Sequence, residues 1–433
     1  MRNDLLPLMN VGRNNDYLEV ASRIRGRTRE LAAVEDRTGE IIAKVRRDGD
    51  AALRELTLAL DHAEIGQSIS VGDDEIESAV ERVDRDLLEA LRFSLNRVRK
   101  TQGQLLRRLS YSYVSDGFVV RTVARGLPSI GCYIPGGRAA YASTVLMTAG
   151  VAKMAGVRRV VVCTPPDRDG TVNGAILAAA RMCGVDEIYR VGGAQSIAAL
   201  AYGTESIRRV AKIVGPGGLY ASVAKRLVSR DVPIDFFAGP TEIVVVGDGT
   251  TDARLAAWDL VGQAEHGQDS LCGLITWDAG LARKVRAQIA SIAAGVERGE
   301  FVRGALARGF AVVCRDREAA AEIVNALAPE HVELMMEDPK EFSARVENAG
   351  LVLSGKYAPC AASDYCIGTD HVIPTEGYAV VRSSLSVLDF VKLNWVVSGT
   401  KGGLRAILPP LRRLAEAEGL PNHYRSVEAR FKR

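Results

Sequence analysis

From about residue 130 to residue 355, short runs of β-branched and aliphatic residues alternate with segments of helical periodicity, and this pattern constrains the fold most. Val160 to Cys163 reads as a strand ended by Pro165-Pro166, and Asn173 to Cys183 as a helix. Glu187 to Val191 is a strand, Ala194 to Tyr202 a helix and Val210 to Val214 a strand. After Gly239-Pro240, which looks like a joint, the alternation resumes. Strands are expected at Glu242 to Val246, Leu271 to Thr276, Phe310 to Cys314, Val332 to Met336 and Leu351 to Leu353. Helices are expected at Ala253 to His266, Leu281 to Val296 and Glu318 to Leu327. Parallel strands need long crossovers and helices supply them, so the alternation implies parallel α/β units. The first ~110 residues read as helices, with apolar positions at helical spacing through Tyr17 to Val45, Ala51 to Leu60 and Ile76 to Leu106. The last ~50 residues change character, with a strand-like Tyr378 to Val381 and a charged helix from Leu404 to Glu418.

A chain of 433 residues is long for one core, so more than one domain is expected. The net charge is only +3, and no basic arm with interleaved aromatics occurs, which argues against nucleic acid as a partner. No apolar run approaches the ~20 residues of a membrane span. The start, Met1 to Leu6, lacks the apolar core of a signal peptide. The seven cysteines are odd in number, form no Cys-x-x-Cys pair and sit largely in apolar runs, as reduced buried thiols do. A cytoplasmic protein is the expectation.

Histidine points to chemistry. Four of the five histidines lie in short polar motifs in the second half of the chain, and imidazole is both the commonest metal ligand and a proton carrier near neutrality. Gln263 and His266 are three apart on an expected helix, so one helical turn points both to one side. Asp364 adds a hard oxygen and His423 a second imidazole, and such nitrogen and oxygen donors suit zinc. The plain alternative is a polar helix end, because these residues are far apart in sequence. Glu330-His331 follows a proline on an expected loop and offers a carboxylate and an imidazole for proton transfer, or merely a surface turn. His62, in Asp61-His62-Ala63-Glu64, reads as a solvated helix-end residue. Glycine-rich turns occur at Ile134 to Gly137, Val191 to Ala194 and Gly215 to Gly218. The second joins a strand to a helix, where backbone amides could hold a phosphate. The usual dinucleotide fingerprint is absent, so glycines at ordinary turns remain the alternative.

Taken in order, Tyr133 to Gly137, Val191 to Glu205, Gln263 to Gly267, Pro329-Glu330-His331, Asp364-Tyr365, Leu385-Ser386-Val387 and Glu418 to His423 resemble the histidinol dehydrogenase family over most of the chain. The resemblance implies two Rossmann-like parallel α/β domains with a helical N-terminal region and an extended C-terminal tail. Residues 1–129 would be helical and part of the first α/β domain, and 130–238 would form the second, on the NAD side. Residues 239–377 would continue the first domain and carry the zinc and catalytic residues, and 378–433 would be a tail exchanged in a homodimer. The implied activity is zinc-dependent, two-step, NAD-linked oxidation of L-histidinol to L-histidine through the aldehyde. Gln263, His266, Asp364 and His423 would hold zinc, the last from the partner subunit's tail. His331 would take the hydroxyl proton and Glu330 would activate water. His371 and Glu418 would contact substrate with Thr241 beside it, and Tyr133, Gln195 and Gly218 would fall at the NAD site.

Four positions depart from the pattern: Cys360 and Asp370 stand where glutamate and asparagine are usual, Gly218 where asparagine is, and Thr241 where serine is. Cys360 removes a charge near the substrate, and Gly218 removes a hydrogen bond to NAD. Rival readings are a paralogue oxidising another small alcohol such as a sulfonated propanediol, a zinc hydrolase without NAD, and a catalytically silent binding protein.

Overall fold

The computed structural model of the chain describes residues 5–12, 17–26, 32–136 and 140–432. Gly137, in the first glycine-rich turn, and residues 27–31, inside the expected first helical stretch, lie outside the described residues.

Two parallel sheets carry the fold. The larger has six strands, in the spatial order Leu8–Asn10, Phe310–Val313, Leu271–Thr276, Glu242–Gly247, His331–Met335 and Leu351–Ser354. Every neighbouring pair is parallel. The smaller has four parallel strands, ordered Glu187–Tyr189, Arg159–Cys163, Ser129–Tyr133 and Lys212–Val214. Helices cover both faces, which is why the central strands read as unbroken apolar runs rather than alternating ones. In Glu242–Gly247 all six residues are buried. Ile243 and Val245 pack on one side with Leu260, Leu281 and Val285, and Val244 and Val246 on the other with Ile24, Ile323 and Val324. Arg159–Cys163 divides in the same way between two further core clusters.

The N-terminal region is shared between the sheets, which the expected assignment of residues 1–129 to one domain does not capture. Leu8–Asn10 is an edge strand of the larger sheet, and the helix Tyr17–Arg25 packs on the helix Arg317–Leu327 of that unit. The helices Ala32–Asp61, Asp73–Glu81 and Arg85–Arg108 instead pack on helices of the smaller unit.

The tail differs from the expectation in two places. Tyr378–Val380 is a single 3₁₀ turn, not a strand. The strand of this region is Val391–Gly399, which pairs antiparallel with Phe118–Gly126, itself a hairpin partner of Ser112–Ser115. The ribbon is two-sided and half-exposed, so its sequence lacks the alternation that reveals a strand with one buried face. The helices Lys401–Ala417 and Pro421–Glu428 follow. No helix among the described residues is long and apolar enough to cross a membrane. The described cysteines are free, and all but Cys366 are buried.

Candidate active site

The carboxyl ends of the smaller sheet face the amino ends of the larger one across a cavity of about 500 Å³. Pro135 and Gly136, just past Ser129–Tyr133, and Pro216 to Tyr220, just past Lys212–Val214, form one wall. Thr241, Gln263, His266, Glu330, His331 and Asp364 form the other, with His371 between. The first wall obeys the rule that ligands sit at the carboxyl ends of parallel strands. The second inverts it, because Thr241 directly precedes the strand Glu242–Gly247, and Glu330 directly precedes His331–Met335. His331 is therefore the first residue of a central strand rather than part of a loop, and it lies in register with Ile243 and Leu351.

Strand pairing fixes the Glu330 carboxylate. Glu330 Oε2 accepts from Thr241 Oγ1 at 2.6 Å and from the Glu242 amide at 2.7 Å, and Gln263 Nε2 donates to Thr241 Oγ1 at 2.5 Å. The imidazole of His331 is fixed at one nitrogen: Nδ1 lies 3.0 Å from the Glu242 carbonyl, a pure acceptor, so Nδ1 carries the proton. His331 is 2% exposed, and its Nε2 has no hydrogen-bond partner among the described residues. That nitrogen lies 3.8 Å from Asp364 Oδ1. Against the lowering by burial, the neighbouring Cys360 and Glu330 hold His331 well above the usual imidazole range. An unpartnered ring nitrogen in a buried position costs free energy unless something binds it, so it marks a ligand position.

Buried Glu242 braces this wall from behind. Its carboxylate pairs with Arg25 at 2.7 Å and accepts from the amides of Glu376 at 2.9 Å and Glu330 at 3.2 Å. Asp364 and Cys360 stand one turn apart on the short helix Cys360–Tyr365, whose first amide donates to Glu333 on the strand His331–Met335. Burial, with the neighbouring Asp259, pushes the Glu333 carboxyl up to about 8. Burial also pushes Asp364 up to about 6, against the pull of His331. The surrounding protein lowers His266 although its ring is open to the cavity, and burial lowers His371 to about 4, so His371 meets a ligand as neutral imidazole. Its Nε2 lies 3.1 Å from Ser143 Oγ on the opposite wall.

Thus Thr241, Gln263, His266, Glu330, His331, Asp364, His371 and Gly218 converge on one cavity. Glu418 and His423 do not line it within the same chain; both are exposed, at the end of one tail helix and within the next. Tyr133 is buried behind the wall, against the position a side chain at Gly217 would take, and its hydroxyl accepts from the Gly193 amide at 3.3 Å. Gln195 is buried nearby and donates to Asp61 at 3.3 Å. Cys360 is the donor that the histidine motifs did not flag. His331, Cys360 and Asp364 each offer a ligand atom, all within 4.8 Å of one another. The signal was the four-residue spacing of Cys360 and Asp364, which places both on one helical face.

The residues present fit a metal ion. Gln263 spends its amide nitrogen on Thr241 and turns its oxygen toward Cys360, Asp364 is a carboxylate beside it, and the His266 imidazole opens on the same cavity. They also fit a phosphate-bearing cofactor on the facing wall. The helix Leu219–Val228 begins at Gly218 with no side-chain cap, and a side chain at Gly218 would meet only open space. Its first amides are thus open to an anion. The departure at Asp370 is mild. Its carboxyl is buried, accepts from the Val372 amide, and is driven by burial well above the ordinary range, toward the neutral acid that matches asparagine in charge and shape.

Two parallel α/β units, with a carboxylate, an imidazole and a candidate metal set in the cavity between them, define an enzyme-like α/β protein. The family model for histidinol dehydrogenase matches residues 25–431. The histidinol dehydrogenase of Moorella thermoacetica is 43% identical over 430 residues, covering 98% of this chain and 100% of that one. That of Methanosarcina mazei is 39% identical over 410 residues, covering 94% of each. The crystal structure of histidinol dehydrogenase from Elizabethkingia anophelis superimposes with a TM-score of 0.92 at 32% identity, over 99% of this chain and 98% of that one. The chain belongs to the histidinol dehydrogenase family, a family of NAD-dependent oxidoreductases. This assignment excludes the hydrolase reading.

Proposed function

We propose that the protein oxidises L-histidinol to L-histidine in two NAD-linked steps, with Gln263, His266 and Asp364, and the partner subunit's His423, holding zinc. The observation that carries this reading is the pairing of an unpartnered, buried His331 Nε2 with a fixed Glu330 carboxylate in one cavity. Zinc at this position would supply a Lewis-acidic anchor for the amino and imidazole nitrogens of the substrate, and NAD the acceptor for each hydride.

In the first step His331 Nε2 takes the hydroxyl proton as hydride leaves the carbinol carbon, giving aldehyde, NADH and a proton. In the second, Glu330 takes a proton from the water that adds to the aldehyde, and a second hydride leaves to give the carboxylate. Both hydrogen bonds that hold Glu330 fall on Oε2, so Oε1 is the oxygen available to water. The neutral imidazole of His371 and the Thr241 hydroxyl would orient the substrate. Zinc-loaded protein incubated with L-histidinol and NAD is expected to form two NADH per histidinol, lost with a strong chelator and restored by zinc. No NADH despite bound zinc would overturn histidinol as substrate and favour another small alcohol.

A homodimer completes this reading, since His423 and Glu418 lie away from the cavity of their own chain. The tail ribbon exposes Leu393, Trp395, Val396 and Val397, with Tyr113 and Val114 alongside. An apolar band of this kind on a two-sided ribbon is what a second copy would cover. Trp395→Glu is expected to shift the protein from dimer to monomer in sedimentation velocity and to lower zinc occupancy with it. A dimer of full zinc content would refute the exchanged tail.

A further inference from the structure

We infer that the Cys360 sulfur is itself a metal ligand, so that this chain binds its metal through a mixed sulfur, oxygen and nitrogen set. The inference rests on the metal reading above and adds a donor to it. Cys360 Sγ lies 3.5 Å from Gln263 Oε1 and 4.0 Å from Asp364 Oδ2, so it is adjacent to two of the proposed ligands at once. Bond lengths of ~2.0 Å to oxygen and ~2.3 Å to sulfur put two ligands of one ion roughly 3.0–4.3 Å apart, depending on the angle between them, so both separations fit a shared ion.

Cys360 does not stand alone. The unpartnered Nε2 of His331, in a side chain almost wholly withdrawn from solvent, points into the same space, 3.8 Å from Asp364 Oδ1. The helix that carries Cys360 is pinned by the bond from its first amide to Glu333, so the sulfur is preorganised rather than free to turn away. Binding replaces the S–H bond by a sulfur–metal bond, and the proton leaves to solvent. The bound thiolate restores one negative charge where the thiol has none. A soft donor shifts preference toward soft ions, so cadmium should compete with zinc here more strongly than at an all-nitrogen-and-oxygen site.

The test uses the full-length protein. Metal content after dialysis against Co(II) is measured by mass spectrometry, and the absorption spectrum is recorded on the same sample. The expected result is bound cobalt with a near-ultraviolet thiolate-to-cobalt charge-transfer band. The band should be absent in Cys360→Ser and kept in Cys366→Ser, the exposed neighbouring thiol. Cobalt affinity should fall at least tenfold in Cys360→Ser. Zinc-edge X-ray absorption on the unaltered protein, which needs no variant, should show one sulfur at about 2.3 Å. Bound metal with neither band nor sulfur scatterer would overturn this inference and leave the zinc reading standing. No bound metal at all would overturn both.

Discussion

Glu330→Gln is expected to yield one NADH per L-histidinol instead of two, with the aldehyde step slowed by about 10²–10⁴-fold, the usual contribution of a positioned general base. The exchange keeps the shape of the side chain, and the amide oxygen can still accept from Thr241 and the Glu242 amide, which hold the carboxylate now. What it loses is the ability to take a proton from water. His331→Ala should act earlier, slowing the first NADH by a similar factor, because Nε2 is the proposed acceptor for the hydroxyl proton. Burst and steady-state NADH formation, followed with histidinol and separately with the aldehyde, distinguishes the two. Two NADH at an undiminished rate from Glu330→Gln would remove Glu330 from the water step. Equal loss of both steps in each variant would mean that the pair acts as one unit.

These assignments were partly legible in the sequence, and the reasons differ from residue to residue. The parallel units were readable because strands buried on both faces must be apolar throughout, as Val160 to Cys163 and Glu242 to Val246 are. The ribbon strand Val391–Gly399 was not, because its exposure removes the pressure for alternation and its partner lies over 250 residues away in the chain. In the site, Gln263 with His266 and Glu330 with His331 stand out as short polar motifs. The bracing Glu242 and Arg25 do not, since a glutamate heading an apolar strand looks like a strand boundary until its partner from the first described helix is seen beside it. Cys360 was read as the loss of a charge, and only the fold reveals that its sulfur faces Gln263 and Asp364. The location of Thr241, Glu330 and His331 at the amino ends of strands was likewise invisible, because periodicity predicts elements and not which sheet edge faces a cavity.

Lys225→Met is expected to destabilise the protein by about 3–5 kcal/mol, the cost typical of stranding one member of a buried ion pair. Lys225 and Asp235 are almost wholly buried, with Nζ 2.5 Å from Oδ1. The pair also ties down the glycine-rich turn on the cavity wall opposite Glu330 and His331. Lys225 Nζ donates to the Gly215 carbonyl at 2.8 Å, and the Gly215 amide donates to Asp235 Oδ2 at 2.8 Å. Gly215 has φ +121, outside the range that side chains favour, and its missing Cβ lets the backbone of Tyr133 approach. Methionine fills the volume but leaves the Asp235 charge with only backbone amides for partners. Urea unfolding should therefore show a lower midpoint with an unchanged slope. Because Pro216, Gly217 and Gly218 follow directly and line the cavity, KM for NAD should rise severalfold while zinc content stays unchanged. Adding Asp235→Leu removes the stranded charge and should recover much of the stability, but not the NAD affinity, since the turn has lost both of its anchors. If Lys225→Met unfolds at the wild-type urea concentration, the pair contributes no net stability. A normal KM for NAD would show that the glycine turn holds its shape without it.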